Sequence, residues 1–114
     1  MPKEDKFEKI LFEAIEEGLN ELGESAKRAI YFYLKEKFGI DRQNICSNLR
    51  KFSRGLNNIF GEGAKIIEEL ILRALFRKTG YKPEDNWKQI DFEDNIRKVK
   101  EYFCLLYTSD AADE

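Results

Sequence analysis

Apolar residues recur at three- and four-residue steps along most of this chain, and glycines interrupt the recurrence. In the first stretch the apolar positions are Phe7, Ile10, Leu11, Ala14, Ile15, Leu19 and Leu22. That spacing places them on one face of an α-helix, and glycine is the residue that most often ends one. The same pattern predicts five helices, at about residues 3–22, 26–38, 49–60, 64–78 and 92–103.

No segment alternates apolar and polar residues over a useful length, so a β-sheet is not predicted. The sequence therefore predicts an all-α fold, a single-domain bundle of about five helices with short connections. Gly18 lies within the apolar face of the first helix, where a glycine lets another helix approach closely. Ser25 is predicted to cap the second helix, Ser47 or Asn48 the third and Asp91 the fifth.

Composition excludes several classes of protein. Charged residues make up 37% of the 114 residues with a formal net charge of -2, so no strong field favours nucleic acid or a membrane surface. No apolar run approaches the roughly 20 residues that a membrane span needs. The N-terminal MPKEDKFEKIL is too charged for a signal peptide, and two cysteines are too few for a disulfide framework. We expect a cytoplasmic protein.

The chain ends in CLLYTSDAADE, residues 104–114, which lacks the lysine and arginine that are frequent before it. This stretch resembles the in-frame translation of a transposase adapter used to prepare DNA sequencing libraries. The resemblance implies a metagenomic or draft-genome source and a natural sequence known only to Phe103. We therefore predict a helical domain at residues 1–103 and a non-native tail at 104–114. Without the tail, 20 basic residues face 19 acidic ones, and Cys46 is the one remaining cysteine.

The sequence contains no histidine, the commonest general base and metal ligand. A Ser-His or Cys-His nucleophile pair is therefore ruled out, and a metal site in a helical bundle would need carboxylates alone. The glutamate clusters along the first and fourth helices are interpreted as solvated faces. We predict no catalytic residue, no metal ligand and no cofactor, and expect that the protein is not an enzyme.

Three apolar residues lie away from the main apolar stripes. Phe32 points outward on the second helix, and Leu72 and Phe76 lie on the far side of the fourth. One interpretation is that the fifth helix and the loop with Tyr81 and Trp87 cover them. The other is that they contact a protein partner or a second copy of the chain, because exposed apolar patches mark interaction sites. We predict Phe32, Leu72 and Phe76 as partner-binding residues.

A second surface offers an alternative function. Arg50, Lys51, Arg54 and Asn57 share the outer face of the third helix. Arginine and asparagine on an exposed helix can contact phosphates and base edges. The preceding helix and connector make a loose helix-turn-helix arrangement conceivable, although the connector is long for that motif and the rest of the surface is balanced in charge. Nucleic-acid binding through this face is the alternative prediction.

Two stretches suggest a family. LGESAKRAIYFYLKEKFGI, residues 22–40, and FSRGLNNIFGEGAKIIEELILRAL, residues 52–75, resemble the Nitrosopumilus output domain family, type five. The most specific part of this resemblance is a combination of motifs: Ser25 and Ile30 in the first stretch, with Phe52-Ser53 and Phe60-Gly61-x-Gly63-Ala64 in the second. The resemblance covers about residues 7–78. It implies an archaeal source and a cytoplasmic role as a signal-output domain, and it supplies no catalytic motif.

Overall fold

A computed structural model describes the backbone of residues 3–113 and the side chains of residues 5–106. Within these residues the fold is all-α, which confirms the predicted fold class. Five α-helices are joined by short connections, and no strand occurs in the described backbone. The helices are α1 (Lys3–Asn20), α2 (Glu24–Phe38), α3 (Leu49–Phe60), α4 (Ala64–Thr79) and α5 (Phe92–Asp113), with single 3-10 turns at Ile45–Ser47, Gly61–Gly63 and Trp87–Gln89.

The residues that end α2 and α4 agree with the prediction, whereas the residue that caps the start of α2 does not. Gly39 and Gly80 follow α2 and α4 in the left-handed conformation, with φ of 67° and 78°, which only glycine adopts without strain. Ser25, however, is not the cap of α2. The helix begins two residues earlier than predicted, at Glu24, because Gly23 takes a φ of 97° and its carbonyl accepts the first helical hydrogen bond from Lys27.

The fifth helix is longer than predicted. Its backbone continues past Phe103 to Asp113 because no glycine or proline occurs in that stretch to end it. Phe92, Ile96, Val99 and Phe103 are buried, whereas Leu105 and Leu106 are 68% and 45% exposed. Cys104, the first residue of the predicted non-native tail, is half-buried, and the side chains of residues 107–114 lie outside the described residues.

Helices α1 and α4 form the centre of the bundle. Gly18 lies against α4 so closely that a Cβ there would stand 3.1 Å from the backbone nitrogen of Ile71 and 3.2 Å from its Cα. The predicted close approach is therefore confirmed. Helix α4 packs on α1, α3 and α5, and its buried residues cover most of its circumference: Ala64, Ile67, Ile71, Leu72, Ala74, Leu75 and Phe76.

This central position corrects the prediction for Leu72 and Phe76. Their side chains are only 3% and 8% exposed. The Phe76 ring packs edge-on against Trp87 with centroids 5.1 Å apart, and it lies 5.8 Å from the ring of Tyr81. The segment between α4 and α5 thus covers this side of α4, so Leu72 and Phe76 are core residues and not partner contacts.

Candidate interaction surfaces

The orientation of α2 is fixed by what its inner face buries. Ile30 and Leu34 are 2% and 0% exposed. Beside them Lys27, itself 8% exposed, places its Nζ 3.3 Å from the Glu16 carboxylate of α1, and the Tyr31 hydroxyl donates to the same carboxylate. Removing either partner of this pair would leave the other as an uncompensated charge, which is destabilising. Rotation of α2 would break this link, so the helix has one defined inner side.

Phe32 therefore points away from the bundle. At about 100° per residue it lies roughly 200° from Ile30 around the helix, and its side chain is 70% exposed. All the other phenylalanines are buried or half-buried except Phe60, which is 37% exposed. The structure thus keeps Phe32 as a candidate contact, unlike Leu72 and Phe76.

Charged and small side chains surround Phe32. Arg28 and Glu36 precede and follow it by one helical turn, and Ala29 lies beside them; all three are exposed. Arg28 makes an exposed ion pair with Glu24 at 3.5 Å, while Glu36 has no ion pair among the side chains that the structure describes. We call Arg28, Ala29, Phe32, Lys35 and Glu36 the outer face of α2.

A second apolar area lies at the corner between α3 and α4, and it was not predicted. Ile66 is 64% exposed, and Ile59 and Phe60 are each 37% exposed. The periodic pattern assigns Ile59 to the same stripe as the buried Phe52 and Leu56. It lies in the last turn before the glycine corner, where a helix has fewer neighbours. The sequence signal that could have identified the exposure of Ile59 is the position of Gly61, two residues later.

The predicted nucleic-acid face is only partly available. Arg50 places its Nη2 3.1 Å from a carboxylate oxygen of Glu93 in α5, and the Asn57 side-chain amide donates to the Ser53 carbonyl at 2.9 Å. Lys51 and Arg54 are exposed, and neither forms an ion pair with a side chain that the structure describes.

Acidic residues share the groove beside this face. Asp91, Glu93 and Asp94 line it opposite Arg50 and Arg54, around a volume of about 550 Å³. A phosphate backbone entering the groove would meet these carboxylates as well as the arginines. The sequence could not show this because Glu93 lies 43 residues after Arg50 and the two side chains meet only in the folded chain.

The groove continues between α3 and α4, where the Ser53 hydroxyl donates to the Glu68 carboxylate. Burial raises the pKa of Glu68, and the hydrogen bond from Ser53 and the charge of Lys65 oppose that rise. The pair joins α3 to α4. No cluster of three potential metal ligands occurs among the residues described.

Cys46 has the properties of a packed side chain. Burial raises the pKa of its thiol to about 11, with a smaller contribution from the negative charge of Glu8. Its Sγ lies 3.5 Å from the Glu8 carbonyl oxygen, beside a hollow of about 230 Å³ floored by Phe7, Leu11 and Ile96. A thiol with so high a pKa is a poor nucleophile at neutral pH.

In the part of the chain that is described, no helix is both long enough and apolar enough to cross a lipid bilayer. Comparison of the chain with protein-family models, with curated proteins and with solved structures finds no match.

Proposed function

We propose that this chain is a non-enzymatic protein-interaction domain that contacts its partner through the outer face of α2. The observation that carries the proposal is the 70% exposure of Phe32. The Phe32 side chain does not pack in the core, because α2 buries the opposite face of the helix. The Glu16–Lys27 pair holds α2 in this orientation.

The surroundings of Phe32 suit an interface. Burying an exposed phenylalanine contributes about 2 kcal/mol from its apolar area alone. Contact sites commonly place one aromatic residue at the centre with charged residues around it, which is the arrangement of Arg28 and Glu36 here. Ala29 leaves room for a partner to approach the helix closely.

The biological role that we propose is signal output in the cytoplasm of an archaeon. Support for it comes from the resemblance of residues 22–40 and 52–75 to the Nitrosopumilus output domain family. A small helical domain that contains no histidine, and whose Cys46 thiol has a raised pKa, suits a module that transmits a signal by binding and not by chemistry.

The test is a capture experiment with two matched variants. The wild-type chain, Phe32→Ser and Ile66→Ser are each immobilised and exposed to an archaeal cell extract. We expect proteins that are retained by the wild type and by Ile66→Ser and lost with Phe32→Ser. Equal retention by all three would refute a role for the outer face of α2, and circular dichroism checks that each variant is folded.

The second candidate function is nucleic-acid binding, favoured by the exposure of Lys51 and Arg54 without ion pairs in the described part of the chain. It is tested by fluorescence anisotropy with labelled duplex DNA and single-stranded RNA. Binding through this face would weaken steeply as salt is raised and would be abolished by Lys51→Glu with Arg54→Glu. The carboxylates of Glu93, which pairs with Arg50, and of Asp91 share the same groove, and an absence of binding even at low salt would refute this function.

A further inference from the structure

We propose that the partner of the outer face of α2 is an acidic segment of another protein. The segment covers Phe32, seats an apolar side chain in a hollow beside it, and places its carboxylates on the cations around that hollow. This inference rests on the proposed function and adds the chemistry of the partner. It is carried by the composition of the hollow and by its position next to Phe32.

The hollow lies between α2 and the connector that follows it, and it has a volume of about 210 Å³. Three cations, one carboxylate, one aromatic ring and one aliphatic side chain line it: Arg28, Lys35, Arg42, Asp41, Tyr31 and Ile40. We call these six residues the basic hollow. The whole chain has a formal net charge of -2, so the positive excess is local to this surface. A positive surface attracts an acidic partner.

The basic hollow continues the outer face of α2 on one side of Phe32. Arg28 and Lys35 lie about 40° and 60° from Phe32 around the helix. Tyr31 lies about 100° from Phe32 in the same direction, whereas Glu36 lies about 40° away in the opposite direction. A partner that covers Phe32 therefore meets two cations on the side of the hollow and reaches Glu36 only on the other side.

Two of the cations have weak contacts in the free chain. Arg28 pairs with Glu24 at 3.5 Å, and both side chains are largely exposed; such pairs contribute little to stability. Arg42 lies over the ring of Tyr31, 5.1 Å from its centroid, and forms no ion pair with a side chain that the structure describes. Both arginines can therefore turn toward the carboxylates of a partner.

The one carboxylate in the basic hollow, that of Asp41, is occupied. Its Oδ1 accepts hydrogen bonds from the backbone amides of Gln43 and Asn44 at 2.9 Å and 3.1 Å, and its Oδ2 lies 3.8 Å from Nζ of Lys35. The Asp41 amide donates to the Asn44 side chain at 3.0 Å. These bonds hold the backbone that carries Arg42 in place before a partner arrives, which reduces the entropy cost of binding.

The size of the hollow favours a protein side chain over a small-molecule ligand. Pockets for small molecules usually enclose about 300–1,000 Å³, whereas this hollow has about 210 Å³. One apolar side chain fits in that space, where Ile40 and the Tyr31 ring give it apolar walls.

The arrangement of the charges disfavours a nucleic acid. A nucleic acid strand presents one phosphate per nucleotide and is bound along a groove of cations. Here Glu24 lies one helical turn before Arg28, and Glu36 follows Lys35 directly. A long anionic chain would meet these carboxylates, whereas a short acidic segment avoids them.

The experiment is a selection of random peptides, displayed on phage, against the immobilised full chain. The wild type is compared with Phe32→Ser, Lys35→Glu and Arg42→Glu. The control with the same change in charge is Lys98→Glu, at an exposed position of α5, and circular dichroism checks that every variant is folded. A peptide enriched by the wild type is then synthesised with a fluorescent label, and its dissociation constant is measured by anisotropy at several salt concentrations.

We expect the wild type to enrich acidic peptides that carry a large apolar residue. Lys35→Glu and Arg42→Glu should each weaken the selected peptide about tenfold, because an attractive contact becomes repulsive, and Phe32→Ser should weaken it by about as much. Lys98→Glu should change the affinity by less than about threefold, since salt screens distant charges. For the same reason the affinity of the wild type should fall as salt is raised.

An exchange of charge between peptide and protein gives the sharpest result. Variants of the selected peptide, each with one acidic residue replaced by lysine, are measured against the wild type and against Arg42→Glu. One of them should bind Arg42→Glu more tightly than it binds the wild type, because the exchanged pair attracts again. The position of that lysine identifies the carboxylate that Arg42 contacts.

Four results would overturn the inference. The wild type could enrich no peptide or only neutral and basic ones, the reversals could have no more effect than Lys98→Glu, or the affinity could be unchanged in Phe32→Ser. Labelled single-stranded RNA could also bind more tightly than the selected peptide and be lost with Arg42→Glu, which would make a nucleic acid the occupant.

The capture experiment separates this inference from the proposed function. A captured protein that is lost with Phe32→Ser, together with no selection of acidic peptides, would leave the proposed function standing and give the partner another chemistry. Neither a captured protein that depends on Phe32 nor a selected acidic peptide would refute both.

Discussion

The packing of α1 on α4 makes a quantitative prediction for Gly18→Ala. In an exposed helix this change is favourable by about 1 kcal/mol because alanine has the higher helix propensity. At Gly18, however, the new Cβ would stand 2.5 Å from Cγ1 of Ile71 and also 3.1 Å and 3.2 Å from the backbone nitrogen and Cα of that residue. Those atoms belong to the central helix and cannot move alone, so the helices must separate slightly. Overpacking of this kind costs about 2 kcal/mol, which leaves a net loss of about 1 kcal/mol.

Gly55→Ala provides a matched comparison within the same chain. Gly55 is also a buried helical glycine, but its added Cβ would meet the tip of the Leu34 side chain, and the Phe38 ring at 3.4 Å, and not backbone atoms. A side-chain tip can rotate away, although in a filled core that also costs about 1 kcal/mol. The gain in propensity offsets this cost, so we expect Gly55→Ala to be close to the wild type in stability.

Both variants are measured by urea unfolding followed by far-UV circular dichroism. For a domain of this size, a loss of 1 kcal/mol lowers the urea midpoint by about 0.8 M with the slope unchanged. A Gly18→Ala chain as stable as the wild type would show that α4 can yield at this contact. A Gly55→Ala chain that is the less stable of the two would refute the distinction between backbone and side-chain obstacles.

Three further predictions follow from the core and its edges. Leu72→Asp with Phe76→Ser should abolish the far-UV helical signal, whereas Phe76→Ala alone should lower the free energy of unfolding by about 3 kcal/mol. Cys46 should react with iodoacetamide at pH 8 roughly a hundredfold more slowly in the folded than in the unfolded chain, because the pKa of its thiol is raised from 9.0 to about 11. The folded state favours the neutral thiol. The contribution of this shift to the free energy of unfolding is therefore complete below pH 9 and is lost as the pH rises through 11. Tyr31→Phe should cost about 1 kcal/mol, because the Glu16 carboxylate loses the hydroxyl that donates to it.

Helix positions could be predicted from the sequence because they depend on local chemistry. The bounds of α3, Leu49–Phe60, agree with the prediction, and glycine follows α2, α3 and α4 as expected. Gly23 was the local exception. It is the N-cap of α2 where Ser25 was expected, because a glycine with positive φ can turn the chain into the helix without a side-chain hydrogen bond.

The surroundings of each helix could not be predicted in the same way. Periodicity tells which residues share a face, but not how many neighbouring elements cover that face. Leu72 is buried because α4 is central, and Phe76 because Tyr81 and Trp87 fold back over it. Likewise, the spacing of Arg50 and Arg54 shows a shared face, while the Glu93 carboxylate that pairs with Arg50 comes from another helix.

Phe32 and Phe76 have the same sequence signature, an apolar residue opposite the core stripe of its helix, yet one is 70% exposed and the other 8%. The difference arises because α2 packs chiefly on α1 and α3, whereas α4 also packs on α5. Exposure alone does not make Phe32 functional, since single apolar residues are common on protein surfaces. The capture experiment with Phe32→Ser and Ile66→Ser therefore decides whether this exposed ring is a contact residue or an ordinary surface side chain.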